Sequence, residues 1–127
     1  MANRTKKRFG QLVRSKRVAK GFSLRRFSEL VGVSPTYLSQ VEQGNCDPPT
    51  AERVRRMAEI LGENADELTA LAGRVPDDLP AIIQQQPTLI AEFLREASGL
   101  TPDEIRLLTE EARKLKTQTR GEASRKR

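Results

Sequence analysis

Between Leu24 and Gly44 the chain places Thr36, Gln40 and Gln43 four and three residues apart, a spacing that puts all three on one face of a helix. Their chemistry is hydrogen bonding. A glutamine amide carries a donor and an acceptor in one plane, which matches the major-groove edge of adenine, and a threonine hydroxyl can serve either base pair. The interleaved Phe27, Val31, Val33, Leu38 and Val41 are apolar and suit the inward positions of two short helices joined by a turn at Gly32, with small Ser28 where those helices approach each other. Ten Lys or Arg and no acid occur in the first 26 residues, a concentration that suits a polyanionic partner, although a solvated basic helix face remains the open alternative.

Bond-making chemistry has little to work with. The 127 residues contain no His and one Cys, so a Ser-His-Asp triad, a His-ligated zinc site and a His general base are excluded. Cys46 can close no internal disulfide, which fits a reducing cytosol, and a redox-sensing role for it has no activating motif nearby. The acid pairs Asp77 with Asp78 and Glu110 with Glu111 read as solvated helix ends rather than a metal or acid/base site. No apolar run approaches the ~20 residues needed to span a bilayer, and the N-terminal stretch lacks the apolar core of a signal peptide. No catalytic residue, cofactor, metal or membrane association is expected.

The elements that must position the polar face are helical throughout. Phe9, Leu12, Val13 and Val18 define a first helix stopped at Gly21; Ser23 caps a second that ends at Gly32; Ser34 and Pro35 open a third that runs to Gly44. Thr50 caps a fourth helix with Val54, Met57, Ala58 and Leu61 on one face, and Asn64 with Glu67 opens a fifth ended by Gly73. Residues 1–73 therefore read as one bundle and residues 74–87 as a turn-rich hinge with a short helix over Ala81 to Gln86. Residues 88–116 read as two apolar-striped helices, the second started by Thr101, Pro102, Asp103 and Glu104. Residues 117–127, with Ala123 alone apolar, read as a disordered basic tail. Net charge divides accordingly: +8 through Gly62, −5 from Glu63 to Lys116 and +3 in the tail, +6 in all.

The run from Ser15 through Arg17, Gly21, Phe22 and Ser23, continuing as Val31-Gly32-Val33-Ser34-Pro35-Thr36-Tyr37-Leu38-Ser39-Gln40-Val41-Glu42-Gln43-Gly44, resembles the helix-turn-helix regulators of the lambda repressor and Cro type, also called the xenobiotic response element family. The resemblance spans about Phe9 to Leu71. It implies an all-α, five-helix DNA-binding bundle with Ser34 to Gln43 as the recognition helix in the major groove. By matching positions it implies base contacts from Pro35, Thr36 and Gln40, with Tyr37 and Ser39 near enough to join them, and phosphate contacts from Ser23, Arg25, Ser34, Gln43 and Asn45. It makes Arg17 and Glu42 a structural ion pair. Pro35 departs from the Gln of some relatives and can offer only apolar contact; Leu24 departs from a frequent Gln, a phosphate contact that Arg14, Lys16 or Arg25 would have to replace. Tyr37 packing on the domain, and Gln43 and Asn45 as ordinary turn residues, are the alternatives.

One bundle reads little DNA alone, whereas a two-fold dimer reads two half-sites ~34 Å apart. Leu89, Ile90, Phe93, Leu94, Ile105 and Leu108 are the expected self-association surface, with docking on the chain's own bundle as the alternative. The expectation is a sequence-specific, double-stranded-DNA-binding transcriptional regulator, a homodimeric repressor acting in the cytoplasm on the nucleoid of a bacterial or phage-type system. The alternatives are a DNA-binding antitoxin whose C-terminal helices hold a partner toxin, and a protein-binding scaffold.

Overall fold

The computed structural model describes the backbone of residues 2–125 and the side chains of residues 4–120. It contains eight α-helices and, among the described residues, no strand: α1 (Ala2–Ala19), α2 (Leu24–Val31), α3 (Pro35–Gln43), α4 (Ala51–Leu61), α5 (Ala65–Leu71), α6 (Leu79–Gln85), α7 (Pro87–Ala97) and α8 (Pro102–Arg125). They form two compact units, one through Ile82 and one from Ile83 onward.

In the first unit α1 packs on α3 and α5, α2 on α3 and α4, and α4 on α5. Every one of these helices contributes to a single core: Phe9 and Val13, Phe27 and Val31, Leu38 and Val41, Val54, Met57, Ala58 and Leu61, and Leu68, closed by Ala72 just beyond α5. Local side chains set the helix starts. Ser23, Ser34 and Asn64 each accept a hydrogen bond from the backbone N–H three residues on, at 3.0, 3.1 and 2.9 Å. Thr50 occupies the N-cap of α4 without such a bond. Val18, expected on the inner face of the first helix, is 60% exposed, because the position one turn after Val13 is taken by Arg17.

Gly10 permits the tightest approach in this unit. A Cβ there would lie 2.5 Å from the carbonyl oxygen of Glu42 and nearer still to that of Val41, so α1 rests directly on the backbone of α3.

The connector expected to begin at Arg74 has two of its residues held by side-chain contacts. Arg74 donates from Nε to the carbonyl of Pro49 at 3.1 Å and from Nη2 to that of Pro48 at 2.6 Å, and Asp77 pairs with Arg55 at 3.5 Å. The first residues of the connector are thus fastened to the bundle, and α6 starts at Leu79 rather than Ala81.

No described residue of the second unit is buried; Leu89, Phe93, Leu94, Ile105, Leu107, Leu108 and Leu115 are all exposed and Ile90 is half-buried. The start of α8 is a complete capping box: the Thr101 N–H donates to Glu104 Oε1 at 2.9 Å and the Glu104 N–H to Thr101 Oγ1 at 3.2 Å. The bond from the Thr101 backbone holds the Glu104 carboxyl below its ordinary range. A depressed carboxylate pKa stabilises above the unfolded value and the contribution disappears as pH falls through the folded one. Thr101→Ala keeps that backbone donor but removes the hydroxyl, whose hydrogen bond also lowers the Glu104 pKa, and should therefore raise it in part and weaken the acid dependence of α8 helicity, read by NMR titration of the carboxyl carbon; an unmoved titration would show that the backbone bond alone holds the carboxyl down.

α8 also continues to Arg125, where a disordered tail after Lys116 was expected. A helix needs no apolar stripe to propagate once nucleated, and no proline interrupts residues 117–125. The hydroxyls of Thr117 and Thr119 bond to the carbonyls of Arg113 and Leu115 one turn back. The last two residues of the expected tail lie outside the described residues.

Candidate nucleic-acid interface

The turn between α2 and α3 is short because Gly32 ends α2 with φ +88°, a conformation that suits glycine, and Ser34 caps α3 with Pro35 in its first turn. The Gly32 and Val33 N–H groups both donate to the carbonyl of Ser28, at 2.9 and 3.0 Å. Two arginines of α4 satisfy three further carbonyls at that end. Arg53 Nη1 donates to Gly32 at 2.6 Å and to Val31 at 3.3 Å, and Arg56 Nε donates to Leu30 at 3.1 Å. Ser28 is fully buried, with its hydroxyl donating to the Arg25 carbonyl at 2.7 Å.

A fork of hydrogen bonds joins α1 to α3. Arg17 Nε meets Glu42 Oε2 at 2.7 Å, Arg17 Nη2 meets Glu42 Oε1 at 2.9 Å, and Arg17 Nη1 donates to the Phe22 carbonyl at 2.9 Å. The side chains are only 11% and 5% exposed, and the bond to Glu42 raises the Arg17 pKa further above its usual value. One guanidinium thereby fixes α3 and the turn that leads into α2.

With Leu38, Val41 and Glu42 facing inward, α3 turns Pro35, Thr36, Gln40 and Gln43 to solvent, while Tyr37 and Ser39 are half-buried. Tyr37 packs against the core, and its hydroxyl donates to the Asp47 carbonyl at 3.4 Å. Burial pushes its pKa up. Gln43 Nε2 donates to Ser39 Oγ at 3.1 Å, and Asn45 Nδ2 donates to Gln40 Oε1 at 3.1 Å and to Gln43 Oε1 at 3.0 Å.

The three cations considered as replacements for a contact at Leu24 are separated by their surroundings. Lys16 pairs with Glu63 at 3.1 Å and Arg25 with Glu29 at 3.7 Å, whereas Arg14 lines a groove with Leu24, Ser39 and Gln43, beside α3. Ser23 and Ser34 stand exposed at the starts of α2 and α3, where unpaired backbone N–H groups favour an anion. Burial, and after it the Asp47 carboxylate, raises the Cys46 thiol pKa, the direction opposite to the one that activates a thiol. Among the described residues no group of acids and Cys46 has the arrangement of a metal site, and no helix is long and apolar enough to cross a membrane.

Gly10, Arg53, Arg56 and Arg74 were not recognisable as structural residues from local pattern, with one exception: a glycine within a helical stretch is itself a hint of close packing.

A basic bundle that buries one face of a short helix and offers the other as a row of amides and hydroxyls is a helix-turn-helix unit. Residues 8–71 match the helix-turn-helix domain family, and the chain belongs to it. It is 33% identical over 60 residues, 47% of this chain and 86% of the relative, to the uncharacterized HTH-type transcriptional regulator YazB of Bacillus subtilis (strain 168). Among solved structures it is similar to the clp gene regulator ClgR from C. glutamicum, with 30% identity and a TM-score of 0.47 covering 54% of this chain and 87% of that one. The SinR protein/SinI protein complex aligns at 22% identity and a TM-score of 0.45, covering 86% of this chain and 98% of that one. The protein is a DNA-binding transcriptional regulator and not an enzyme.

Proposed function

We propose that the protein is a homodimeric repressor that reads an inverted-repeat operator through α3. The observation that carries this reading is the exposed row of Thr36, Gln40 and Gln43, set on a helix whose opposite face is locked into the core. In this reading Thr36 and Gln40 meet base edges, and Pro35 offers apolar contact to a thymine methyl. Ser39 supports the row through Gln43, and Tyr37 serves the domain by packing. Ser23, Ser34, Arg25 and Gln43 lie toward the phosphates, joined by Arg14 in place of a contact at Leu24. Repression requires only occupancy of a promoter, with no activating surface.

Self-association is assigned to the second unit, where Leu89, Phe93, Leu94, Ile105 and Leu108 are exposed on α7 and α8, with Ile90 half-buried beside them. Two linked half-sites bind with far higher avidity than one. A chain ending at Gln86, which keeps α6 and the Arg74 anchor, should be folded and monomeric in sedimentation velocity and bind the operator roughly 100-fold more weakly. A persistent dimer would place the interface elsewhere, and co-purification of an unrelated small protein with the full chain would favour the antitoxin reading.

Selection of bound sequences from random DNA tests the whole proposal: two related half-sites in inverted orientation, about one helical turn apart, are expected. Enrichment of no sequence would refute it. On the selected site, Gln40→Ala should cost ~1 to 3 kcal/mol and relax preference at one base pair, with non-specific binding nearly unchanged.

A further inference from the structure

The end of the recognition helix brings a loop residue back onto a base-reading side chain. Gly44 has φ +76°, and a Cβ there would lie 2.7 Å from Lys7 Cγ, so the position requires glycine on two counts. The reversal lets the Gly44 N–H donate to the Val41 carbonyl and the Asn45 N–H to the Gln40 carbonyl, both at 3.0 Å, which is the paired pattern of a Schellman cap. Asn45 is therefore tied by its backbone to the same residue that its side chain meets. Asn45 Nδ2 carries two hydrogens, and the two oxygens it meets, Gln40 Oε1 and Gln43 Oε1, are both acceptors. Gln43 is held from its other end by Ser39 Oγ. The result is a braced chain of amides, Ser39 to Gln43 to Asn45 to Gln40, along the exposed side of α3.

We propose that Asn45 is a specificity-determining positioning residue: by engaging Gln40 Oε1 it sets which end of the Gln40 amide is offered to the duplex. This presupposes Gln40 as a base contact. With Oε1 engaged, Gln40 Nε2 keeps both hydrogens for the groove, which selects a base edge presenting acceptors, the N7 and O6 of guanine or the N7 of adenine. An unbraced glutamine can turn its amide over and present the oxygen instead, which accepts from cytosine N4 or adenine N6. The brace thus removes one of two readings that the side chain alone would allow. It also commits both Asn45 side-chain hydrogens within the protein, in place of the phosphate contact that the family resemblance implies for this position.

The test compares base preference on a library of operators varied at single positions, for the full chain and for Gln40→Ala, Asn45→Ala and Asn45→Asp. Each variant is first checked by circular dichroism; the backbone bonds of the cap do not depend on the Asn45 side chain. The readout is the ratio between bases at one position, which cancels a uniform loss of affinity. Gln40→Ala should relax the preference at one base pair by roughly fivefold or more. Asn45→Ala should relax the same position by about threefold or more while leaving others unchanged. Asn45→Asp, whose carboxylate only accepts, should turn the Gln40 amide over and shift that position toward a donor-bearing edge. If Gln40→Ala relaxes the position but both Asn45 variants weaken all operators equally, Asn45 is a phosphate contact and the brace is refuted. If Gln40→Ala leaves every preference intact, Gln40 reads no base and the brace falls with it.

Discussion

Glu42→Ala should destabilise the first unit by about 3 to 5 kcal/mol, because it leaves the Arg17 guanidinium, 11% exposed, without its carboxylate. Total stabilities of small domains are about 5 to 15 kcal/mol, so the loss removes a large part of the whole. The cost comes from stranding a charge, not from the worth of the pair as such. Paired charges in a low-exposure site have already given up much of their hydration, and apolar replacements of similar volume often do as well. Arg17→Met combined with Glu42→Leu should therefore recover most of the loss. It should not recover all of it, since the Phe22 carbonyl still loses the donor that Arg17 Nη1 supplies, a deficit of roughly 1 kcal/mol. Urea unfolding of the four variants in a double-mutant cycle measures both quantities. Single variants within about 0.5 kcal/mol of the parent would show that water reaches the pair freely.

Gly10→Ala should be destabilising by about 3 kcal/mol, against the helix propensity of the two residues. In an exposed helix alanine is better than glycine by roughly 1 kcal/mol, so propensity alone predicts a gain. Here the added methyl overlaps the Val41 and Glu42 carbonyl oxygens, which are backbone atoms that no rotamer change can move aside. Overpacking of this kind costs about 1 to 3 kcal/mol where side chains can adjust, and the upper end applies where they cannot. Relief would require α1 to lift from α3, which would also stretch the Arg17–Glu42 fork. The two sites are therefore coupled, and Gly10→Ala combined with Glu42→Ala should cost less than the sum of the separate changes. Thermal unfolding checks the sign directly: a higher midpoint for Gly10→Ala would show that the two helices separate cheaply.

Helix starts and stops are readable in the sequence wherever one residue decides them. Ser23, Ser34 and Asn64 cap because their side chains reach a neighbouring N–H, and Gly32, Gly44 and Gly62 end helices because they accept positive φ. The core is readable for the same reason, since Phe27, Val31, Leu38 and Val41 declare their faces by spacing. The resemblance to the lambda and Cro regulators supplied the Arg17–Glu42 pair, whose members lie 25 residues apart and whose bidentate geometry the structure contains. Arg53 and Arg56 are not legible in the sequence because arginines on an exposed helix face look solvated until the helix end they meet is placed beside them. Arg74 is not legible either, because Pro76, Asp77 and Asp78 suggest a free connector, while its partners are backbone carbonyls that carry no residue signature. The family resemblance implies a phosphate contact for Asn45 by position alone; its side-chain bonds depend on the fold of a turn.

The arginines on backbone oxygens have a further effect on association with DNA. Residues 1–62 contain 13 Lys or Arg, yet Arg53 and Arg56 face carbonyls at the C-terminal end of α2 and the turn after it, and Lys6, Lys16 and Arg17 face Asp47, Glu63 and Glu42. Only cations that reach the duplex displace its condensed counterions, about 0.9 for each phosphate neutralised. Affinity should consequently fall with ionic strength much more gently than the formal basic content implies, leaving a larger share of the binding free energy to the shape and hydrogen bonds of the groove.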